Sequence, residues 1–320
     1  MTVLGLVSET KRLPRLAVLV PCFNESLTIG QVIGDFRAAL PTAQIYVYDN
    51  NSTDGTAEIA RAAGAIVRVE PRQGKGNVVR RMFGDIEADI YILVDGDGTY
   101  DAKAAPFLVG RVLKDDLDFV NGARAEVSQQ AYRRGHRLGN RVLTGLVQGV
   151  FGREFRDMLS GYKVMSRRFV KSFPAMSSGF ETETELVVHA LELRMPAAEI
   201  TTAYQERPEG SVSKLRTYRD GARILYLILR LMKDERPLQF FGTLSAALLV
   251  AALMLVAPVV VTFAETGLVP RLPTAVLSLG IVILSVLTLF TGIVLDLTTR
   301  TRQELKRLLY LSVARQLNVP

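Results

Sequence analysis

Along residues 16–95 short apolar runs alternate with segments of helical spacing. Leu16 to Cys22 is an apolar run with β-branched residues and predicts a buried strand. From Ser26 to Leu40 the apolar positions Leu27, Ile29, Val32, Ile33, Phe36 and Leu40 predict a helix, with Asn24 or Ser26 placed to cap it. Ile45 to Asp49 predicts a second strand, closed by the turn cluster Asn50-Asn51-Ser52-Thr53-Asp54-Gly55. A helix over Thr56–Ala63, a strand over Ala65–Glu70, a helix over Gly76–Ala88 and a strand over Ile90–Asp95 continue the alternation. Further on, Tyr162 to Ser166 predicts a strand. Glu181 and Glu183 open a helix through Leu193, where their charge complements the helix dipole. Repeated βα units imply an α/β fold with a largely parallel sheet and helices on both faces.

The C-terminal third reads differently. Residues 237–264 carry no charge, nor do residues 272–295. A bilayer core takes about 20 apolar residues per helix, so each run is long enough to span it. One such run could be a buried core helix, but two in succession favour a membrane. Eight Lys/Arg lie from Arg207 to Arg236, and Arg300, Arg302, Lys306, Arg307 and Arg315 follow the second run, whereas the connection holds only Arg271. The positive-inside rule then puts both ends in the cytoplasm. The expected organisation is a cytosolic α/β domain over 1–215, an amphipathic interfacial helix over 216–236, two transmembrane helices within 237–297 and a cytosolic basic tail over 298–320. The net charge of +7 suits anionic headgroups, and the crowding of basic residues beside the spans favours these over nucleic acid. The opening MTVLGLVSETKRLPR lacks a basic stretch followed by a long apolar core, so no signal peptide is expected. A single cysteine, Cys22, excludes an intramolecular disulfide or a cysteine zinc cluster and agrees with a reducing compartment.

Four strand ends carry polar clusters: PCFNES, YDNNSTDGT, PRQGKGN and DGDGTYD. In open α/β sheets ligands bind at the carboxyl ends of strands, so these clusters should converge. The first strand end has no G-x-G-x-x-G turn, and no P-loop is present, which argues against a hydride-transferring dinucleotide enzyme and a P-loop NTPase. Asp95 and Asp97 sit two apart around Gly96. They are either an Asp-Gly turn or a carboxylate pair for Mg²⁺ or Mn²⁺ with phosphate oxygens. Asp49 can accept hydrogen bonds from a base or a ribose hydroxyl. Lys75, flanked by glycines before a helix, can reach phosphates with the helix N-terminus helping, or lie solvated in its loop.

The ordered set PCFNES, DNNSTDGT, GKGNVVR, VDGDGTYD, NGAR, DMLSGYKVMSRR, GFETETEL and RPEGSVSK, covering about residues 15–235, resembles the family-2 glycosyltransferases. Within them it resembles the polyprenyl-phosphate (dolichyl-phosphate-type) sugar synthases. The resemblance implies a GT-A nucleotide-diphosphosugar fold. It places Pro21, Phe23, Glu25 and Asp49 at the nucleoside, Asp95 by the ribose and metal, and Asp97 directly on a divalent ion, Mg²⁺ or Mn²⁺. It places Lys75, Arg207, Ser213 and Lys214 at the diphosphate, Arg124, Arg133, Arg134 and Arg137 at the lipid phosphate, Asp157 facing the reacting centre, and the loop of Glu181 and Glu183 near the acceptor side. Thr99 stands where some relatives carry a Gln metal ligand. The Q-x-x-R-W pattern of processive synthases is absent, and the chain has no Trp.

The resemblance implies an inverting hexosyl transfer from UDP-glucose, UDP-N-acetylglucosamine or GDP-mannose to polyprenyl phosphate at the inner (plasma) membrane, for a cell-envelope glycan. A phosphate monoester is mostly dianionic at neutral pH and needs little base help, which suits Asp157 as an orienting group or a weak base. Asp157 as a polar turn residue, and the three arginines as a solvated helix face, stay open. So do another lipid or sugar acceptor, a non-catalytic nucleotide-sugar-binding scaffold and homo-oligomerisation. The segment Tyr218 to Met232 would lie in the headgroup layer or pack on protein.

Overall fold

The computed structural model describes residues 13–125, 155–205, 226, 230, 233–234 and 236–313. Among these residues, strands β1 (Leu16–Cys22), β2 (Gln44–Asp49), β3 (Ile66–Val69), β4 (Ile90–Leu93), β5 (Phe119–Arg124), β6 (Lys163–Ser166) and β7 (Ala197–Thr202) form one sheet. Their order is β3-β2-β1-β4-β6-β5-β7. Only β6 runs antiparallel to its neighbours; the other pairs are parallel. Among the described residues, the α-helices packed with this sheet are α1 (Ile29–Ala39), α2 (Thr56–Ala62), α3 (Lys75–Asp85), α4 (Ala105–Lys114), α5 (Arg167–Ser172) and α6 (Thr182–Glu192).

Side chains alternate across a strand, and the inner strands β1, β4, β6 and β5 are buried on both faces. Val18, Val20, Ile92 and Val164 pack with Ile29, Val32, Ile33 and Phe36 of α1 and Leu108 and Val112 of α4. Phe36 meets Tyr162 edge-on at 6.0 Å between ring centroids. Tyr91 meets Phe83 of α3, and Phe119 stacks on Phe169 of α5 at 5.0 Å. The expected cap of α1 is not made by Asn24 or Ser26. The helix begins after Thr28, whose side chain makes no cap bond. Its hydroxyl donates to the Gly96 carbonyl at 2.6 Å instead, and Asn24 Oδ1 accepts from the Thr53 amide. These polar groups tie loops together rather than finishing the helix.

The chain divides into two compact units, one of residues 1–224 with 306–320 and one of residues 225–305. In the first, Lys306 Nζ pairs with Glu192 at 2.7 Å, and the Tyr310 hydroxyl donates to the buried Asp118. The second holds most of α7 (Pro237–Thr266) and α8 (Leu272–Ser312), both long and apolar enough to cross a membrane. Where a span ending by residue 297 and a separate tail were expected, α8 runs on without a break to Ser312. The Asp296–Arg300 ion pair, one turn apart, continues the helix past its apolar part. Along the hairpin, buried Ser245, Ala252 and Val259 face Ser278, Ser285, Gly292 and Thr299 at a seven-residue spacing, the period of a two-helix seam. The Ser245 and Ser285 hydroxyls meet at 3.0 Å. A Cβ on Gly292 would come within 2.9 Å of Phe241 Cβ, so small residues let the helices approach.

His189 lies buried between Phe169 and Phe173, its Nε2 3.1 Å from Ser172 Oγ and its Nδ1 without a hydrogen-bond partner. Burial, helped by the charge of Lys306, lowers its pKa from 6.5 to about 3. The unfolded chain therefore takes up a proton below about pH 6.5 that the folded chain refuses until about pH 3, and stability falls as pH drops through that window. Acidification from pH 7 to 5 should cost about 2 kcal/mol through this residue alone. Thermal unfolding of wild type and His189→Gln at both pH values checks this. The variant should lose that part of the pH dependence; an unchanged dependence would assign it elsewhere.

Candidate active site

Strands β3, β2, β1 and β4 are adjacent and parallel, so their carboxyl ends lie along one edge. Backbone bonds lock the loops there: the Asn50 amide donates to Cys22 O, Glu70 to Asp49 O, and Val94 to Leu19 O. Near the end of β1 Pro21 pairs with Tyr48; after the strand Phe23 is half-buried, and the Glu25 carbonyl accepts from the Thr28 and Ile29 amides. The loop after β1 is laced to the one after β2 by Asn24 N to Ser52 Oγ and Glu25 N to Thr56 Oγ1, both 2.8 Å. Asp49 ends β2 and is buried; its Oδ2 accepts from Ser52 N at 3.1 Å, and its Oδ1 has no hydrogen-bond partner. Asn50 ties β2 to the next loop, donating to Glu70 O and Arg72 O and accepting from Gly74 N at 2.7 Å.

That loop delivers Lys75. Gly74 has φ of 129°, and a Cβ there would meet Ser178 O at 2.2 Å. A Cβ on Gly76 would meet Ser177 O at 2.3 Å, so both glycines are required by the close passage of residues 177–178. At the helix N-terminus expected to help Lys75 with phosphates, the Gly76 amide donates to Ser178 O at 3.1 Å. Lys75 Nζ is held between Asp95 Oδ1 and Glu183 Oε1. Burial lowers the Lys75 pKa, but Asp95 and Glu183 outweigh it and lift the value above the usual lysine range. Glu183, in the first turn of α6 and expected to complement its dipole or to lie near the acceptor side, is a buried counter-ion of Lys75.

At the end of β4 a Cβ on Gly96 would lie 2.7 Å from Cys22 Sγ, and one on Gly161 would lie 2.2 Å from Asp95 Oδ2. The DMLSGYK loop therefore closes directly over Asp95, fixed by the Gly161 amide donating to Tyr100 OH at 2.7 Å. Asp97 is buried and its Oδ1 accepts from Thr99 N at 3.1 Å and Thr99 Oγ1 at 2.6 Å. Thr99, without a role in the sequence reading, orients Asp97. Among the described residues no group of three or more His, Cys, Asp and Glu could hold a metal. The oxygen donors of Asp95, whose side chain is 29% exposed, and Asp97 suit a hard divalent ion completed by ligand phosphate oxygens.

Beyond β6, Arg124 and Asp157 form a bidentate pair, Nε to Oδ2 at 2.8 Å and Nη2 to Oδ1 at 2.7 Å, with the Arg124 amide also on Oδ2. Burial raises the Asp157 pKa, but the hydrogen bonds and charge of Arg124 outweigh it and hold it below the usual carboxylate value. Asn121 supports the pair by donating to Asp157 O and Glu199, and buried Lys163 donates to Asn121 Oδ1 at 2.9 Å. Burial lowers the Lys163 pKa to about 8, against the opposing pull of Glu183 and Asp157. Arg133, Arg134, Arg137, Arg207, Ser213 and Lys214 lie outside the described residues. The sequence reading missed Gly161, Tyr100, Asn121 and Lys163. A lysine in the apolar strand Tyr162-Lys163-Val164-Met165 was the available signal.

Residues 17–173 match the model of the glycosyl transferase family 2 domain. Glycosyltransferase AglJ of Haloferax volcanii is 34% identical over 92% of this chain and 97% of its own length. The chain belongs to glycosyltransferase family 2. Another family relative, a dolichyl-phosphate hexose transferase of the same organism, is 26% identical over 69% of this chain and 95% of its own. Glucosyl-3-phosphoglycerate synthase from Mycobacterium tuberculosis, solved with Mn²⁺, UDP and glucosyl-3-phosphoglycerate, superposes with a TM-score of 0.56 at 23% identity, covering 67% of this chain and 80% of that one. The chain thus has the GT-A-like fold and is a transferase.

A Cβ on Gly161 would lie 2.2 Å from Asp95 Oδ2, so Gly161→Ala displaces the Asp95 carboxylate. Misplacing a reacting-site group by about 1 Å costs up to about a hundredfold in rate. Transferase activity should fall by that order while the unfolding midpoint shifts by only a few degrees; full activity would show that Asp95 need not stay where it is.

Proposed function

We propose that the chain moves a hexose from a nucleotide-diphosphosugar to polyprenyl phosphate, with inversion, on the cytoplasmic leaflet of the inner (plasma) membrane. The observation that carries this is the state of Asp157. Tied at both oxygens to Arg124 and with a lowered pKa, it is a poor proton acceptor. An acceptor that arrives already ionised suits such a site. A phosphate monoester is that acceptor, being mostly dianionic at neutral pH. Two helices long and apolar enough to cross a membrane, and a relative named as a dolichyl-phosphate hexose transferase, support a lipid-linked phosphate.

On the donor side, the unpartnered Asp49 Oδ1 accepts from the base or ribose. Asp95 and Asp97 would hold the divalent ion, Mg²⁺ or Mn²⁺, which when bound supplies positive charge to the leaving diphosphate. The structural neighbour solved with Mn²⁺ and UDP supports that choice. Lys75, with Arg207, Ser213 and Lys214, meets the diphosphate. Arg124, Arg133, Arg134 and Arg137 hold the acceptor phosphate, and Asp157 keeps Arg124 aimed. A phosphate oxygen attacks the anomeric carbon as the bond from that carbon to the diphosphate breaks; the nucleoside diphosphate leaves, and no proton need be removed from the nucleophile.

The test is a panel of UDP-glucose, UDP-N-acetylglucosamine and GDP-mannose with undecaprenyl phosphate, Mg²⁺ or Mn²⁺ and the full chain, with the lipid product identified by mass. One donor should yield a polyprenyl-phosphate hexose, Asp97→Ala should lower the rate at least about a hundredfold, and free polyprenol should give no product. Transfer to free polyprenol, or no lipid product from any donor, would overturn the reading.

A further inference from the structure

Lys75 occupies an unexpected place. Its side chain is only 9% exposed, and its ammonium sits on Asp95, one of the two carboxylates proposed to hold the cation. The second contact, to Glu183, comes from α6 on the opposite wall, and the Glu183 side chain is 5% exposed. The contacts are rigidly built. Asn50 holds Gly74, residues 177–178 press against Gly74 and Gly76, and Gly161 closes over Asp95. Without ligand, one positive charge therefore already neutralises Asp95, in the place where a divalent ion would do so. Two cations beside one carboxylate repel each other strongly in a partly buried site. An incoming ion is opposed until Lys75 finds another anion, and the donor's diphosphate brings one to the same edge of the sheet.

We propose that Lys75 is a displaceable counter-ion that couples the two halves of donor binding: it holds Asp95 in the empty site, opposes a lone divalent ion, and passes to the diphosphate when nucleotide and ion arrive together, while Glu183 keeps its ammonium in place. The inference rests on the donor half of the proposed function, a nucleotide diphosphate with a divalent ion, and is independent of the acceptor. Its consequence is positive cooperativity between ion and nucleotide, which linkage makes reciprocal.

The experiment is Mn²⁺ binding to the detergent-solubilised full chain, followed by the paramagnetic resonance signal of free Mn²⁺, with and without UDP or GDP. Neither acceptor nor intact sugar donor is present, so a failed acceptor assignment leaves the result readable. Wild type is compared with Lys75→Gln and with the double variant Lys75→Gln/Glu183→Gln. The double variant keeps the net charge of wild type and so removes the long-range electrostatic part of any effect. Without nucleotide both variants should bind Mn²⁺ at least about tenfold tighter than wild type. Addition of UDP or GDP should tighten Mn²⁺ binding by a similar factor in wild type and by much less in the variants. Asp97→Ala should leave the free Mn²⁺ signal undiminished. The proposal is overturned if neither variant binds more tightly, if only the single variant does, if neither nucleotide tightens wild type, or if the ion still binds to Asp97→Ala. Circular dichroism on each variant, with Lys75→Arg as the charge-retaining control expected to keep the weak Mn²⁺ binding seen without nucleotide, separates these results from misfolding.

Discussion

A lysine ammonium buried between two carboxylates organises the polar edge of this sheet. Lys75 lies between Asp95 at the end of β4 and Glu183 near the start of α6, elements far apart in sequence. Burying an ion is unfavourable unless partners replace its water, and removing one partner of such a set costs on the order of 3–5 kcal/mol. The surrounding backbone is shaped accordingly. Glycines at positions 74, 76 and 161 allow approaches that any Cβ would block, and Asn50 satisfies three backbone groups of neighbouring loops. The four parallel strand ends would bring polar loops together in any case; the ion set decides how closely they meet.

Charge is distributed unequally over the two sides of the site. The proposed donor side keeps a carboxylate oxygen on Asp49 without a partner and a lysine shared between two acids, groups that a ligand can engage by exchange. The proposed acceptor side is closed on itself: Asp157 is saturated by Arg124, its backbone is held by Asn121 and Glu199, and Asn121 is held by Lys163. A saturated carboxylate orients but does not take protons readily. This asymmetry agrees with a reaction in which the leaving group needs most of the electrostatic help and the nucleophile comes ionised.

Periodicity in the sequence was enough to place the alternating strands and helices of residues 16–93, because each is an apolar stripe or run whose partner face is close in the chain. Strand-end position singled out Asp49, Lys75, Asp95 and Asp97, family resemblance added Arg124 and Asp157, and the fold brings the first four to one edge. The pairing of Lys75 with Glu183 was not legible, since it joins positions 108 residues apart, and a glutamate in the first turn of a helix is already explained by the dipole. Gly161 was hidden for a similar reason: its need appears only once Asp95 is beside it. How far α8 runs past its apolar part was not legible, since charged residues bound a span but not a helix, which needs only its backbone bonds and pairs such as Asp296–Arg300 to continue.

The central claim is that the ends of β1–β4 form a donor site whose charge is balanced by Lys75. A structure of the full chain with Mn²⁺ and a nucleoside diphosphate bound tests it most directly. The account predicts the nucleoside against Asp49, the ion on Asp97 and Asp95, and Lys75 Nζ moved from Asp95 to a phosphate oxygen while still touching Glu183. A diphosphate bound away from these strand ends, or seated there with Lys75 still on Asp95, would contradict it.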